Sequence, residues 1–254
     1  MSRIYGQNAV EDLLRTQPDA IARVLVAKGL RRADAFLEQV RAAGIVITEV
    51  DAAELKRRSG GRGAAALAAD LRLAPAMDVD DLVAEAAAGP LVLALDGVTD
   101  PHNLGAIMRS AAAFGARAVI TTERRAAPLN DAAVRASAGA VAHIPLIRVT
   151  NLARSLRTLQ KGGYWVVASL AEGGQLLWEI DLTGPIVLVV GAEGAGVRHG
   201  VAALSDLSAH LPLPGPIQSL NASVFAGIAA AEAARQRRLV GAGKSPTKSG
   251  QNAG

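Results

Sequence analysis

Three short stretches carry the residues whose types and spacing could do chemistry. In DPHNLGAIMR, residues 100–109, Asn103, Gly105 and Arg109 stand in the order N-x-G-x(3)-R. In GAEGAG, residues 191–196, glycines surround a single carboxylate, Glu193. In SLNAS, residues 219–223, Ser219, Asn221 and Ser223 alternate with apolar residues, after the proline-studded LPLPGP of 211–216 and directly before an alanine-rich helical run. Each stretch has a plain structural reading: Asn103 as an N-cap, Arg109 as a surface arginine, and one polar residue of SLNAS as a cap that accepts from the first free backbone N–H groups. Each also has a chemical reading. A helix N-terminus with exposed polar side chains suits an anionic or oxygen-rich ligand, because its free N–H groups and dipole favour such groups. The glycine loop would let backbone approach a ligand closely. Its order, G-x-x-G-x-G with no acidic residue about 20 positions further on, is a weak dinucleotide signature. Glu193 would also repel a pyrophosphate, so a neutral or cationic ligand fits better.

Composition narrows the chemistry. The chain has no cysteine, which removes disulfides, thiolate nucleophiles and cysteine metal sites together. Its four histidines, His102, His143, His199 and His210, show no metal-ligand spacing, so no metal is expected. Aromatic residues make up only 3%, too few for stacking platforms that bind single-stranded nucleic acid. No apolar run reaches the roughly 18 to 20 residues of a membrane span, and MSRIYGQNAVEDLL lacks the apolar stretch of a signal peptide, so a cytoplasmic protein is expected. The net charge is +4, with basic clusters in KRRSGGR (56–62) and RQRR (235–238). Such clusters are usually solvated surface; read instead as contacts to nucleic-acid phosphates, they offer Lys56, Arg57, Arg58 and Arg62 as candidates.

The elements that must position these loops follow from periodicity. Residues 1–73 read as a small α/β unit: a helix at 7–15, a strand at 21–27, a helix at 32–44, a strand at 45–50, then a short helix and the loop RRSGGRG. Residues 74–88 read as an acidic linker leading into a helix. From Leu91, apolar strands alternate with helices: strands at 91–97, 117–122, 143–149, 164–170, 185–191 and 208–214, helices at 103–114, 131–138, 152–161 and 197–204, and a long final helix. Continuous apolar strands of this kind indicate a mostly parallel sheet covered on both faces. In such sheets ligands sit beyond the carboxyl ends of the strands, where the first two loops fall. The small, polar residues 242–254 are expected to be a disordered tail.

Taken together, in this order and at these spacings, the three stretches resemble the signature motifs of the SpoU/TrmH branch of the SPOUT superfamily, the knotted 2'-O-ribose methyltransferases of RNA. The resemblance covers residues 91–238. IYGQNAVEDLL looks like the opening of the two-domain RlmB-like subgroup, which acts on guanosine of 23S rRNA and whose leading domain resembles ribosomal protein L30e. Two departures stand out: Gly61-Arg62-Gly63 replaces a histidine and glutamine before glycine, and Ala222 replaces a valine in the third motif.

The resemblance implies an α/β fold with a small L30e-like RNA-binding domain (1–73), a linker (74–88) and a trefoil-knotted methyltransferase domain (89–241). It implies S-adenosylmethionine as cofactor, held by Gly191, Ala192, Glu193, Gly196, Leu211 and Leu220, and a homodimer that uses the final helix. The reaction would carry a methyl group from a sulfonium to a ribose 2'-hydroxyl, a weak nucleophile near pH 7. Alignment alone can contribute roughly 7 to 11 kcal/mol to such a step. Asn103 and Ser219 would orient the ribose, Asn221 would link substrate loop to cofactor loop, and Glu193 would fix Arg109 or the backbone of the third motif. Ser223 is expected to cap or pack the helix. Arg109 is either the base or a phosphate clamp that stabilises the developing alkoxide; a guanidinium that stays protonated favours the clamp. The alternatives are a tRNA ribose methyltransferase, a resistance-type rRNA methyltransferase, a non-catalytic RNA-binding assembly factor and a Rossmann oxidoreductase. Intact Asn103, Arg109, Glu193, Ser219 and Asn221 argue against the assembly factor, and the glycine order against the oxidoreductase.

Overall fold

Short, largely apolar strands at the start of the chain pair into a mixed sheet that the periodicity only half reveals. The computed structural model describes residues 3–30, 34–58 and 66–241. The chain divides into two compact units, one of Met1–Ala76, Thr99–Arg109 and Ala127–Pro145, the other of Met77–Val98, Ser110–Ala126 and Leu146–Gly254.

In the first unit the strands β1 (Arg3–Tyr5), β2 (Ile21–Ala27), β3 (Val46–Val50) and β4 (Leu67–Leu71) form a sheet in the order β1-β4-β2-β3. Helices α1 (Gln7–Thr16), α2 (Asp34–Ala42) and α3 (Ala52–Arg58) connect them. The expected elements at 7–15, 21–27 and 45–50 are present, whereas β1 and β4 add two antiparallel strands that the sequence pattern does not show. β4 reads LAADL and is buried throughout, so it has no alternation to detect. Its Asp70 is only 1% exposed. In register on one side stands Arg3 and on the other Arg23. Arg3 Nε donates to Asp70 Oδ1 at 2.5 Å and Arg23 Nε to Oδ2 at 2.6 Å. Burial alone would raise the Asp70 pKa, but the two arginine hydrogen bonds outweigh it and hold the carboxyl below its ordinary value. The basic loop after α3 lies outside the described residues.

The second unit opens with α4 (Val79–Ala84), started by a capping box in which Asp78 accepts from the Asp81 backbone N–H and Asp81 from that of Asp78. A sheet of seven strands comes next: β5 (Leu91–Asp96), β6 (Ala118–Thr122), β7 (Leu146–Val149), β8 (Trp165–Ser169), β9 (Gln175–Leu176), β10 (Ile186–Gly191) and β11 (Leu207–His210). Their order is β7-β6-β5-β10-β8-β11-β9, and every neighbouring pair is parallel. This is the parallel sheet that the apolar runs predict, with the two-residue edge strand β9 added.

Both faces are covered. Leu152, Leu156 and Leu159 of α7 (Leu152–Lys161) share a buried cluster with Val92, Ala94, Val166, Val187 and Val189. Strand alternation sends Leu91, Leu93 and Leu95 to the opposite face. On β5 and β10 packs α9 (Ala222–Gly241), with Ala222, Ala226, Ala229, Ala230 and Ala233 buried. Small residues permit this close seating, and each fully buried leucine or valine beneath contributes about 1.5–3 kcal/mol. The alanine face is thus spent within the chain, and Val224 and Ile228 remain exposed on the helix.

The strand order reverses between β5 and β10. From β5 the chain proceeds outward through β6 and β7, and from β10 it proceeds to β11 on the other side. The carboxyl ends of β5 and β10, Asp96 and Gly191, stand in register at that switch point. Open parallel sheets bind ligands there.

Candidate active site

At the end of β10 the glycine loop folds back on itself. Ala192 N donates to Gly196 O at 3.2 Å and Gly196 N to Ala192 O at 2.8 Å, closing a tight turn around Glu193. Gly196 has φ +64, a left-handed conformation that favours glycine. A side chain on Gly191 would place its Cβ 2.1 Å from the carbonyl carbon of Gly196. The sequence suggests that glycines here make room for a ligand; at Gly191 the room is taken by the loop's own returning backbone.

The loop forms one wall of a cavity of about 540 Å³, the size of an ordinary small-molecule site. Gly191, Ala192, Glu193, Gly196, Leu211 and Leu220, the six expected cofactor residues, all line it. Ser219 also lines it and is exposed. Sequence reasoning missed Ser169, Leu170, Gln218 and Phe225, which line the same space. Ser169 ends β8, next to β10, and its Oγ accepts from Gly191 N at 3.4 Å. Only the sheet order brings it there, so no motif could have flagged it. Backbone amides, carbonyls and apolar side chains around such a volume fit a nucleoside with an amino-acid arm.

Asn221 connects the third motif to this loop. Its Nδ2 donates to Glu193 Oε1. Its Oδ1 accepts from Ser223 N at 2.8 Å, Ser223 Oγ at 2.6 Å and Val224 N at 3.3 Å. The cap of α9 is therefore Asn221, and Ser223 donates to the cap instead of supplying it. One side chain both starts the helix and holds the glycine loop, through its two chemically different ends. Glu193 is thereby joined to the third motif as the acceptor of the Asn221 side-chain amide.

The first motif lies on α5 (Pro101–Ala113), in the segment that belongs to the other unit. Asp100 caps this helix: Oδ1 accepts from His102 N at 3.1 Å and Oδ2 from Asn103 N at 3.4 Å. Asn103 is thus released from the capping role that the sequence allowed it, and it is buried at 9% exposure. Arg109, six positions on and about 120° round the helix, is exposed. Gly105 serves packing: a Cβ there would stand 2.2 Å from Ala133 O, so the glycine lets α5 lie directly on α6 (Asp131–Ala136). On α3, Lys56 and Arg57 are exposed. The Arg58 side chain and Arg62, with Gly61 and Gly63, lie outside the described residues. No group of His, Cys, Asp or Glu among the described residues is placed to hold a metal ion.

This arrangement has close counterparts. Residues 90–231 match the SpoU rRNA Methylase family, and residues 3–71 match a family described as RNA 2'-O ribose methyltransferase substrate binding. The chain belongs to the SpoU family. SpoU relatives include the 23S rRNA (guanosine-2'-O-)-methyltransferase RlmB of Vibrio parahaemolyticus, 39% identical over 92% of this chain and 96% of its own length. The enzyme of the same name from Pseudomonas aeruginosa is 40% identical over 92% of this chain and 96% of its own. Among solved structures, the SpoU methyltransferase AviRb of Streptomyces viridochromogenes in complex with AdoMet aligns with a TM-score of 0.66 at 25% identity, covering 93% of this chain and 90% of that one.

Proposed function

We propose that this chain transfers a methyl group from S-adenosylmethionine to the ribose 2'-hydroxyl of a guanosine in 23S rRNA. The observation that carries the reading is the cavity beyond the carboxyl ends of β8 and β10, which all six residues suggested for the cofactor line. Its lining fits the cofactor, and the relatives named for this reaction match over nearly the whole chain. When bound there, S-adenosylmethionine supplies an electrophilic methyl on a sulfonium.

The chain's own residues do the rest. The closed loop at 191–196 offers peptide groups at fixed positions, with Leu211 and Leu220 as apolar walls. Glu193 and Asn221 lock that loop to the start of α9. Ser219, exposed on the cavity wall, orients the ribose. Asn103 and Arg109 act on the substrate, Asn103 through its amide and Arg109 as a fixed cation that binds phosphate and stabilises the developing alkoxide. Residues 1–73 supply RNA affinity through Lys56, Arg57, Arg58 and Arg62, residues 74–88 link, and residues 89–241 form the knotted catalytic domain; the tail expected at 242–254 lies outside the described residues. The protein works in the cytoplasm as a homodimer, for which Val224 and Ile228 of α9 offer exposed apolar surface.

Incubation with a 23S rRNA transcript and methyl-labelled cofactor should place one label on a guanosine ribose, mapped by resistance to alkaline cleavage. Label on a base, or preference for tRNA, would overturn the substrate. Arg109→Lys separates the two roles of the arginine. A clamp predicts a reduced rate with no new ionisation between about pH 7 and 10. A rate that climbs through a lysine-like pKa would make the residue a base. Light scattering at micromolar concentration tests the dimer, and a monomer would refute it.

A further inference from the structure

The loop that shapes the cofactor cavity is fixed at its start by β10 and in its middle by the Glu193–Asn221 bond. Its far end is held by a residue pair outside the three motifs. Asp96, the last residue of β5, is 0% exposed in a strand that is otherwise apolar. Both of its carboxylate oxygens go to one residue, Arg198, seven positions beyond Gly191. Arg198 N donates to Oδ2 at 2.8 Å, its Nε to Oδ1 at 2.7 Å, and a terminal guanidinium nitrogen approaches Oδ1 at 2.5 Å.

We propose that Asp96 and Arg198 are a positioning pair that sets the shape of the cofactor loop. A buried carboxylate is costly unless paired and hydrogen-bonded, so opening the loop would strand the Asp96 charge. That penalty favours the closed turn. The backbone bond fixes the chain at Arg198, and the side-chain bonds fix its direction. Between these anchors, Val197 packs against the core cluster and the Ala192–Gly196 turn closes. Because Gly191 and Asp96 are in register on adjacent strands, both ends of the loop are tied to neighbouring points of the sheet. The Arg198 guanidinium is held above its ordinary pKa, first by the hydrogen bond to Asp96 and further by its charge. Neither side chain lines the cavity, so the pair acts on the ligand only through the loop.

This inference rests on the cofactor occupying this cavity, and the test separates the two. Full-length Arg198→Ala, Arg198→Lys, Asp96→Asn and Leu220→Trp are titrated with S-adenosylmethionine and assayed for methyl transfer at a temperature where all remain folded. Arg198→Ala is the deciding variant, because its side chain is 60% exposed and its backbone bond to Asp96 survives. It should raise both Kd and KM for the cofactor about tenfold while leaving KM for RNA unchanged. The Ala192 and Gly196 amides should lose hydrogen-exchange protection. Arg198→Lys should recover part of the affinity, since the charge returns without the two-pronged geometry. Combining Arg198→Ala with Asp96→Asn should cost less than the sum of the singles. A fall in Tm with cofactor Kd, KM and loop protection unchanged would make the pair merely structural and overturn the inference. Unchanged cofactor affinity in Leu220→Trp, which fills the cavity, would instead overturn the placement of the cofactor.

Discussion

Asp70 and Asp96 are the same chemical group in almost the same burial, 1% and 0% exposed, each held by arginine. They differ in what the arginine belongs to. Arg3 and Arg23 stand on strands that flank Asp70 in register, so that cluster ties a sheet to itself. Arg198 stands at the end of a glycine loop, so Asp96 ties an irregular segment to a regular one. A carboxylate between strands specifies register, because a one-residue slip would leave a charge buried alone. A carboxylate at a strand end specifies the conformation of the loop packed against it. Loss of the first should therefore appear in stability, and loss of the second in ligand affinity.

The sharpest way to break the comparison is Asp70→Ala. It leaves Arg3 and Arg23 facing each other across a gap, and it should destabilise the protein by about 2–3 kcal/mol, below the usual range for a fully buried pair because Arg23 stays 40% exposed. Urea unfolding measures that cost, and S-adenosylmethionine affinity of the folded protein should stay within about twofold, since Asp70 does not line the cavity. A large loss of cofactor affinity would erase the distinction between the two carboxylates. Gly191→Ala probes the other side: its Cβ would meet loop backbone at 2.1 Å, and an overpacking cost of about 1–3 kcal/mol carried into binding means roughly 5- to 150-fold weaker cofactor by calorimetry.

Acid should separate wild type from Asp70→Asn. The Asp70 carboxyl titrates below its ordinary 3.8 in the fold, so the unfolded chain takes up the proton first as pH falls. Its contribution to stability is full above about pH 4 and is lost as pH drops through the folded pKa. Unfolding free energies from about pH 5 downward should fall more steeply for wild type than for Asp70→Asn, and parallel slopes would refute the assignment. The smallest effect is expected from Ala222→Val, which restores the usual residue of the third motif. Ala222 is buried but lines the cavity, which gives the added methyls room, so the stability change should stay near the low end of overpacking costs, about 1 kcal/mol, measured by thermal unfolding.

Periodicity placed nearly all of the parallel strands and helices, because each is long enough for its apolar pattern to repeat. It could not show β1 or β4: three residues hold no period, and LAADL hides a buried charge whose partners lie 67 and 47 positions away. Residue type and spacing named the cavity's glycines, its Glu193 and Ser219, and Asn221 beside it, since a loop's turn chemistry is written locally. The same local information left Asn103 as a possible cap, because nothing in sequence says whether Asp100 or Asn103 meets the free N–H groups first. The link from Asn221 to the glycine loop was expected from the resemblance, but its capping of α9 by the same side chain and the pairing of Asp96 with Arg198 were not. The Asp96–Arg198 pairing arises from sheet order: placing β10 beside β5 puts Asp96 against a loop 102 positions later. Residue order alone settles which groups are available and which local turns they favour. Which charge meets which was settled only when strands distant in the chain became neighbours, because burial then made an unpaired partner too costly to keep.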